Sequence, residues 1–174
     1  MPGTEPHDPV SSHVVVIGAM GSGKTTLARS LAAALGREFL DSDVSIRALT
    51  GRSGREIAET DGVDSLHRLE ASVLFDALKS EKLVVVAAAA SVIEDHAVRD
   101  VLNDTYCVWV KADPEILTER AAQGTHRRAV GKTEHLERRN ALFEQTSDLV
   151  VDTGTLSPEE SVARVLAAMR RERR

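Results

Sequence analysis

Short apolar runs alternate along the chain with longer stretches in which apolar positions recur every three or four residues. His13–Ile17 (HVVVI), Leu83–Val86 and Thr105–Val110 are continuous apolar runs, the pattern of strands buried on both faces. Phe39–Leu40 and Leu149–Val151 are shorter candidates of the same kind. The spacing predicts a helix from Lys24 to about Leu35, closed by Gly36, and helical character over 44–80 with interruptions near Gly51 and Gly62. Asp113-Pro114 sets a capping residue before a proline that a first helical turn tolerates. Ser157-Pro158-Glu159-Glu160 combines such a proline with a capping box. Strands separated by helices predict an α/β fold, a single three-layer domain with a parallel sheet of about five strands flanked by helices. Such sheets bind ligands beyond the carboxyl ends of their strands, so the chemistry is expected in those loops.

No repeat or low-complexity linker divides the chain. Residues 1–12 (MPGTEPHDPVSS) are polar and proline-rich, expected as a disordered leader before a domain spanning 13–174. The last five residues, RRERR, read as a solvated, frayed helix end. With 174 residues and 42% hydrophobic content the chain can bury one sizeable core. Its 22 Lys+Arg against 27 Asp+Glu give −5, and only three Phe, one Trp and one Tyr are present. Both facts argue against a nucleic-acid or anionic-membrane partner. No segment holds the about 18 apolar residues of a membrane span, and the start lacks the apolar stretch of a signal peptide. A cytoplasmic, monomeric protein is expected. The one cysteine, Cys107, excludes an internal disulfide framework and multi-cysteine zinc sites, and its place on an apolar run reads as a core thiol.

The chemistry begins after the first strand. Gly18-Ala19-Met20-Gly21-Ser22-Gly23-Lys24-Thr25 matches G-x-x-x-x-G-K-[ST] between a strand and a helix. Glycines at Gly18, Gly21 and Gly23 let backbone N–H groups curl around a phosphate, and the helix N-terminus adds partial positive charge. Ser22 and Thr26 belong to the same cradle, Lys24 reaches the outer phosphates, and the Thr25 hydroxyl ligates Mg²⁺. This is the signature of a nucleoside triphosphate site, here read as ATP with Mg²⁺. A −5 chain can hold such an anion because local dipoles and one lysine outweigh net charge.

The guanine-reading N-K-x-D of GTPases is missing, and the chain is short for a motor ATPase, which leaves a small-molecule kinase. After the second strand, Asp41-Ser42-Asp43 places two carboxylates one residue apart. One can support Mg²⁺ while the other takes a proton from, or orients, an attacking hydroxyl; either could instead cap the next helix. The histidines lack metal-ligand spacing, so Mg²⁺ arriving with nucleotide is the one metal expected.

From about Val14 to Met169 the chain resembles the shikimate kinase family. The resemblance is carried by the phosphate loop at 18–25, F-L-D-S-D at 39–43, T-G-R-S-G-R-E-I-A-E-T-D-G at 50–62, L-H-R-L-E at 66–70 and R-N-A-L-F-E-Q-T-S-D-L-V-V-D-T at 139–153. It implies a P-loop kinase that phosphorylates a hydroxylated carboxylic acid in aromatic amino-acid biosynthesis. Asp41 would then sit near the metal, Asp43 would meet the acceptor hydroxyl, and Arg139 would clamp the acceptor's carboxylate bidentately. Arg120 would lie near the adenine, with Asp152 and Thr153 across from it. Residues 123–133 would form a lid, with Arg127 or Arg128 lending charge to the transferring phosphoryl group.

The acceptor half departs from the family. Its usual F-R-x-x-E reads Leu66-His67-Arg68-Leu69-Glu70, which puts His67 in the arginine's place and Arg68 one residue late. One residue turns a helical side chain by about 100°, so Arg68 cannot substitute. His67 reads as an acceptor ligand or as an ordinary helix histidine. The family's glycine run after the third strand is replaced by Ala87-Ala88-Ala89-Ala90, predicting a floor at Ala88, Ala89 and Ala90 that is bulkier or differently routed. Arg47 stands where the family has a glutamate after D-x-D. Three readings follow: a shikimate kinase with a modified site, a kinase for another polyol or sugar acid of the gluconate-kinase type, and a nucleotide-binding pseudo-kinase. The gluconate-kinase pattern H-x-x-x-N…D-x-D-R-x-P-W-L is not in the sequence.

Overall fold

A computed structural model describes residues 9–123 and 133–171. Five strands form one parallel sheet: β1 (Val14–Ile17), β2 (Glu38–Asp41), β3 (Val84–Ala87), β4 (Tyr106–Lys111) and β5 (Leu149–Asp152). Their order is β2-β3-β1-β4-β5, so β1 is central and carries the phosphate loop out of the middle of the sheet. Pairing rather than apolarity sets the strand ends. β3 runs on to Ala87 because Ala87 pairs with Val16 and Asp41. β4 likewise runs to Lys111, opposite Asp152.

Alternation along buried strands sorts side chains into two cores. Val14 and Val16 face α1 (Lys24–Leu35) and α8 (Pro158–Arg171), with Leu31, Val165 and Met169. Val15 and Ile17 face the other layer, where Leu74 of α4 (Val63–Leu78), Leu102 of α5 (His96–Leu102) and Phe143 of α7 (Thr133–Thr146) close the core. α6 (Pro114–Gln123) follows β4. Cys107 is fully buried in the second core, where burial and the nearby Asp148 carboxylate push its thiol pKa far up, so it is a packing residue.

The helical stretch predicted over 44–80 is three helices: α2 (Ser42–Thr50), α3 (Gly54–Asp61) and α4, broken at the two glycines named from sequence. α2 starts two residues earlier than predicted because Asp41 caps it directly from the end of β2. A small third core of Ile46, Ile57 and Val73 joins the three helices. The capping box at Ser157 forms, with Ser157 N donating to Glu160 Oε2 at 2.8 Å and Glu160 N to Ser157 Oγ at 3.2 Å.

Of the expected leader, 1–8 lie outside the described residues, as do 172–174 of the basic tail. Residues 9–12 are a turn held by Arg37, whose guanidinium donates to Ser12 O at 2.8 Å and Val10 O at 2.5 Å. Gly124–Lys132 of the expected lid, including Arg127 and Arg128, also lie outside the described residues. Among the described residues no helix is long and apolar enough to cross a membrane.

Candidate functional site

The phosphate loop owes its course to two glycines. Gly18 has φ 147°, and a Cβ there would lie 2.4 Å from the Val110 carbonyl of β4 and 3.0 Å from Ser22 Oγ. Only a residue without a side chain lets the loop leave β1 this close to β4. Gly23 has φ 101° at the N-terminus of α1, a left-handed position that turns the loop into the helix. The first N–H groups of α1 therefore point into the loop, and no side chain caps them. Lys24 Nζ donates to the loop carbonyl of Ala19 at 2.9 Å, which holds the ammonium beside the cradle.

Thr25 Oγ1 donates to Asp41 Oδ2 at 2.9 Å, and Asp41 Oδ1 accepts from Asp43 N at 3.0 Å and Val44 N at 3.4 Å. The two readings of the Asp41-Ser42-Asp43 pair thus divide between its members. Asp41 caps α2 and at the same time orients Thr25. Asp43, one residue into the helix, lines the open cleft instead. Two hard oxygens held together beside a phosphate cradle are donors of the kind Mg²⁺ takes, and Thr25 and Asp41 would be the residues to hold it. Among the described residues no cluster of three or more His, Cys, Asp or Glu side chains could hold a metal by itself.

The cleft, about 230 Å³, runs from the phosphate loop and Thr26 past Asp43 to Ala87–Ala90. The alanine floor takes an ordinary backbone route: Ala89 has φ −63° and ψ 147°, and a 3-10 turn (Ala90–Glu94) begins at once. Alanine's reluctance to adopt positive φ has this concrete outcome. The turn sets two partnerships that the sequence did not disclose. Ser91 donates a short hydrogen bond to Glu70 Oε2, and Glu94 meets Arg139.

Glu70 is 9% exposed and lines the cleft. Burial pushes its carboxyl above the ordinary value of 4.5; the Ser91 hydrogen bond, His67 and Arg139 pull down, and Asp43 adds to the rise. His67, partly buried, lies three residues before Glu70 and so on the same side of α4, whereas Arg68 is exposed and donates to Ser65 Oγ at 3.1 Å. The sign of the Glu70 effect on stability is fixed by its raised folded pKa. Its contribution is full below the unfolded value near 4.5 and is lost as pH rises through the higher folded value. Glu70→Gln, which keeps an acceptor for Ser91 and cannot ionise, is therefore expected to gain on the parent in melting temperature between about pH 4 and pH 8. A widening of about 2–4 °C, the response to ~1 kcal/mol in a domain of this size, is expected. A gap that stays constant across that range contradicts an ionisation penalty.

On the other side of the phosphate loop a second cleft of about 270 Å³ is lined by Gly21, Gly23, Thr26, Arg120, Thr153 and Leu156, among others. Arg120 Nη1 donates to Gly21 O and Ser22 O, each at 3.3 Å, and Nη2 donates to Thr153 O at 3.1 Å. Thr153 Oγ1 donates to Ser22 O at 2.7 Å. These bonds tie the phosphate loop to the end of β5, and they hold Arg120 and Thr153 at the wall of the second cleft. Asp152 lines neither cleft; its Oδ1 accepts from Gly154 N at 2.8 Å and closes the turn after β5. Leu156 and Ser161 carried no sequence signal, being ordinary residues that the α8 connection brings alongside.

Arg139 projects from α7 one turn before the fully buried Phe143, which stacks on Trp109 at 6.0 Å and fixes that face of the helix. Its Nη2 donates to Glu94 Oε2 at 2.9 Å, and His135 Nε2 lies 3.9 Å from Glu94 Oε1. Burial alone would raise the Glu94 pKa, but the Arg139 hydrogen bond and the charges of Arg139, His135 and Arg138 outweigh it, so Glu94 is held below its ordinary range.

The family model for shikimate kinase matches residues 20–170. A shikimate kinase of Burkholderia lata is 32% identical over 174 residues, covering 95% of this chain and 92% of that protein. One of Symbiobacterium thermophilum is 37% identical over 118 residues, 67% of either chain. In solved structures, the shikimate kinase of Acinetobacter baumannii in complex with shikimate superposes with a TM-score of 0.83 at 27% identity, covering 92% of this chain and 93% of that one.

Proposed function

Because the chain belongs to the shikimate kinase family, we propose that it transfers the γ-phosphoryl group of ATP to a hydroxyl of a small polyhydroxylated acid, with shikimate as the first candidate. The observation that carries this reading is the single cleft in which the phosphate loop, the Thr25–Asp41 pair and the Asp43 carboxylate converge on the alanine floor. The donor end and the acceptor end are adjacent, as in-line transfer requires. ATP and Mg²⁺ are the family's co-substrate and metal. Mg²⁺ supplies charge neutralisation between the phosphates, and the chain supplies the rest. Lys24 and the loop N–H groups hold the phosphates, Arg120 and Thr153 flank the base, and Asp43 orients the acceptor hydroxyl and takes its proton. Arg139 receives the acceptor's carboxylate, with His67 as a candidate second partner, and Arg127 or Arg128 adds charge to the transferring phosphoryl group.

The two other readings from sequence have less support. The family match and the relatives above are shikimate kinases, and a cleft that keeps both the phosphate cradle and an acceptor carboxylate is more than a nucleotide-binding module needs. Coupled ADP-release assays with shikimate, gluconate and a panel of cyclitols test the proposal. Shikimate is expected to give the highest kcat/KM. A faster reaction with gluconate or a cyclitol, or clear ATP binding without turnover of any acceptor, overturns it.

A further inference from the structure

Arg139 already holds a carboxylate that belongs to the chain. The Glu94 side chain meets its guanidinium at 2.9 Å, and the two side chains are only 20% and 21% exposed, so this is a partly desolvated ion pair and not a surface contact. Glu94 ends the 3-10 turn whose first residue, Ala90, lines the cleft, so one short turn connects the pair to the acceptor floor. Arg139 is close enough to influence Glu70, which itself lines the cleft, and the same Glu70 responds to His67 and Asp43. Arg139 and Glu94 do not themselves line the cleft; the charge of Arg139 reaches it through Glu70. The buried Nε of Arg139 has no hydrogen-bond partner among the described residues, so the guanidinium fork is not saturated by Glu94.

We propose that Glu94 is a specificity-determining residue that competes with the acceptor's carboxylate for Arg139. An acid acceptor has to share or displace a carboxylate fixed to the floor, whereas a neutral hydroxylated molecule of the same shape does not. The inference rests on the reading that Arg139 receives the acceptor's carboxylate. With His67 in the place of a second arginine, the internal carboxylate has an outsized effect on which acceptors bind: it weakens acids selectively and leaves neutral analogues untouched.

The pair is separated by substitution at Glu94 read with two probes, shikimate and its neutral methyl ester. Glu94→Gln retains an oxygen that can accept from Arg139 and removes the competing charge. It is expected to lower KM for shikimate about tenfold, the scale of one charge-assisted hydrogen bond. The change should fall on KM and not on kcat, with KM for ATP and for the ester unmoved. In an Arg139→Gln background the same substitution is expected to have no effect on the acid. An unchanged shikimate KM in Glu94→Gln, or an equal drop for acid and ester, overturns the inference while leaving shikimate kinase activity in place. If neither protein turns over shikimate, the functional proposal fails, and equilibrium binding of shikimate then decides. Tighter binding by Glu94→Gln sustains the competition, and equal or undetectable binding by both proteins overturns it.

Discussion

Replacing Lys24 by methionine is expected to lower kcat by roughly 10²–10³-fold, the loss seen when one preorganised donor to developing charge is removed. The ammonium is held by Ala19 O at 2.9 Å beside the phosphate cradle, so it meets the γ-phosphoryl group already oriented. During transfer, charge spreads over the equatorial phosphoryl oxygens, and a fixed cation there stabilises the transition state more than the ground state. Methionine matches the length of the stem and keeps a good helix former at the first position of α1, so the melting temperature should stay close to the parent's. Coupled assays under saturating ATP, together with a thermal melt, check both parts. An unaffected rate would remove Lys24 from the mechanism, and with it the catalytic reading of the loop.

Asp43→Asn is expected to lower kcat by about 10²–10⁴-fold, the usual contribution of a positioned general base. The two aspartates after β2 do not share this role. Asp41 is committed at both oxygens, to Thr25 on one side and to the first N–H groups of α2 on the other. Asp43 is exposed and lines the cleft where an acceptor hydroxyl would stand. Asparagine keeps the size and can still accept a hydrogen bond, but it cannot take the proton. The α2 cap depends on Asp41, so the fold should be unchanged, and KM for ATP should move little. Comparing kcat with nucleotide affinity by titration calorimetry separates the two effects. A kcat within threefold of the parent's would shift the base role to another group.

Much of the donor half was legible in the sequence because its determinants are local. The phosphate loop, its glycines, Lys24 and Thr25 span eight consecutive residues, and backbone geometry forces them into one turn. Helix ends at Gly36, Gly51 and Gly62 were legible for the same reason, since each is set by one residue's conformational freedom. The acceptor half was legible in kind and not in partners. The alanine run announced a different floor, yet nothing near it announced that the following turn would deliver Ser91 to Glu70, 21 residues away, and Glu94 to Arg139, 45 residues away. Asp152 shows the converse. The family resemblance placed it with Thr153 at the base pocket, whereas its carboxylate is used by the adjacent turn and only Thr153 lines the second cleft.

Sequence alone determined that the chain is an α/β protein with a triphosphate-binding loop, because strand burial, helix capping and glycine freedom act over a few residues. The tertiary structure decided which charges face one another. The order β2-β3-β1-β4-β5 places the ends of β1, β2 and β3 side by side, so Thr25 meets Asp41 and the alanine floor faces the phosphate loop. Packing of Phe143 fixes α7 and turns Arg139 toward Glu94, a pairing that no short-range pattern encodes. Electrostatic energy depends on separation in space, and separation in space is set by the sheet order and the two cores. The pattern of apolar runs therefore announced where a phosphate would bind, while the folded chain determined which carboxylate meets Arg139.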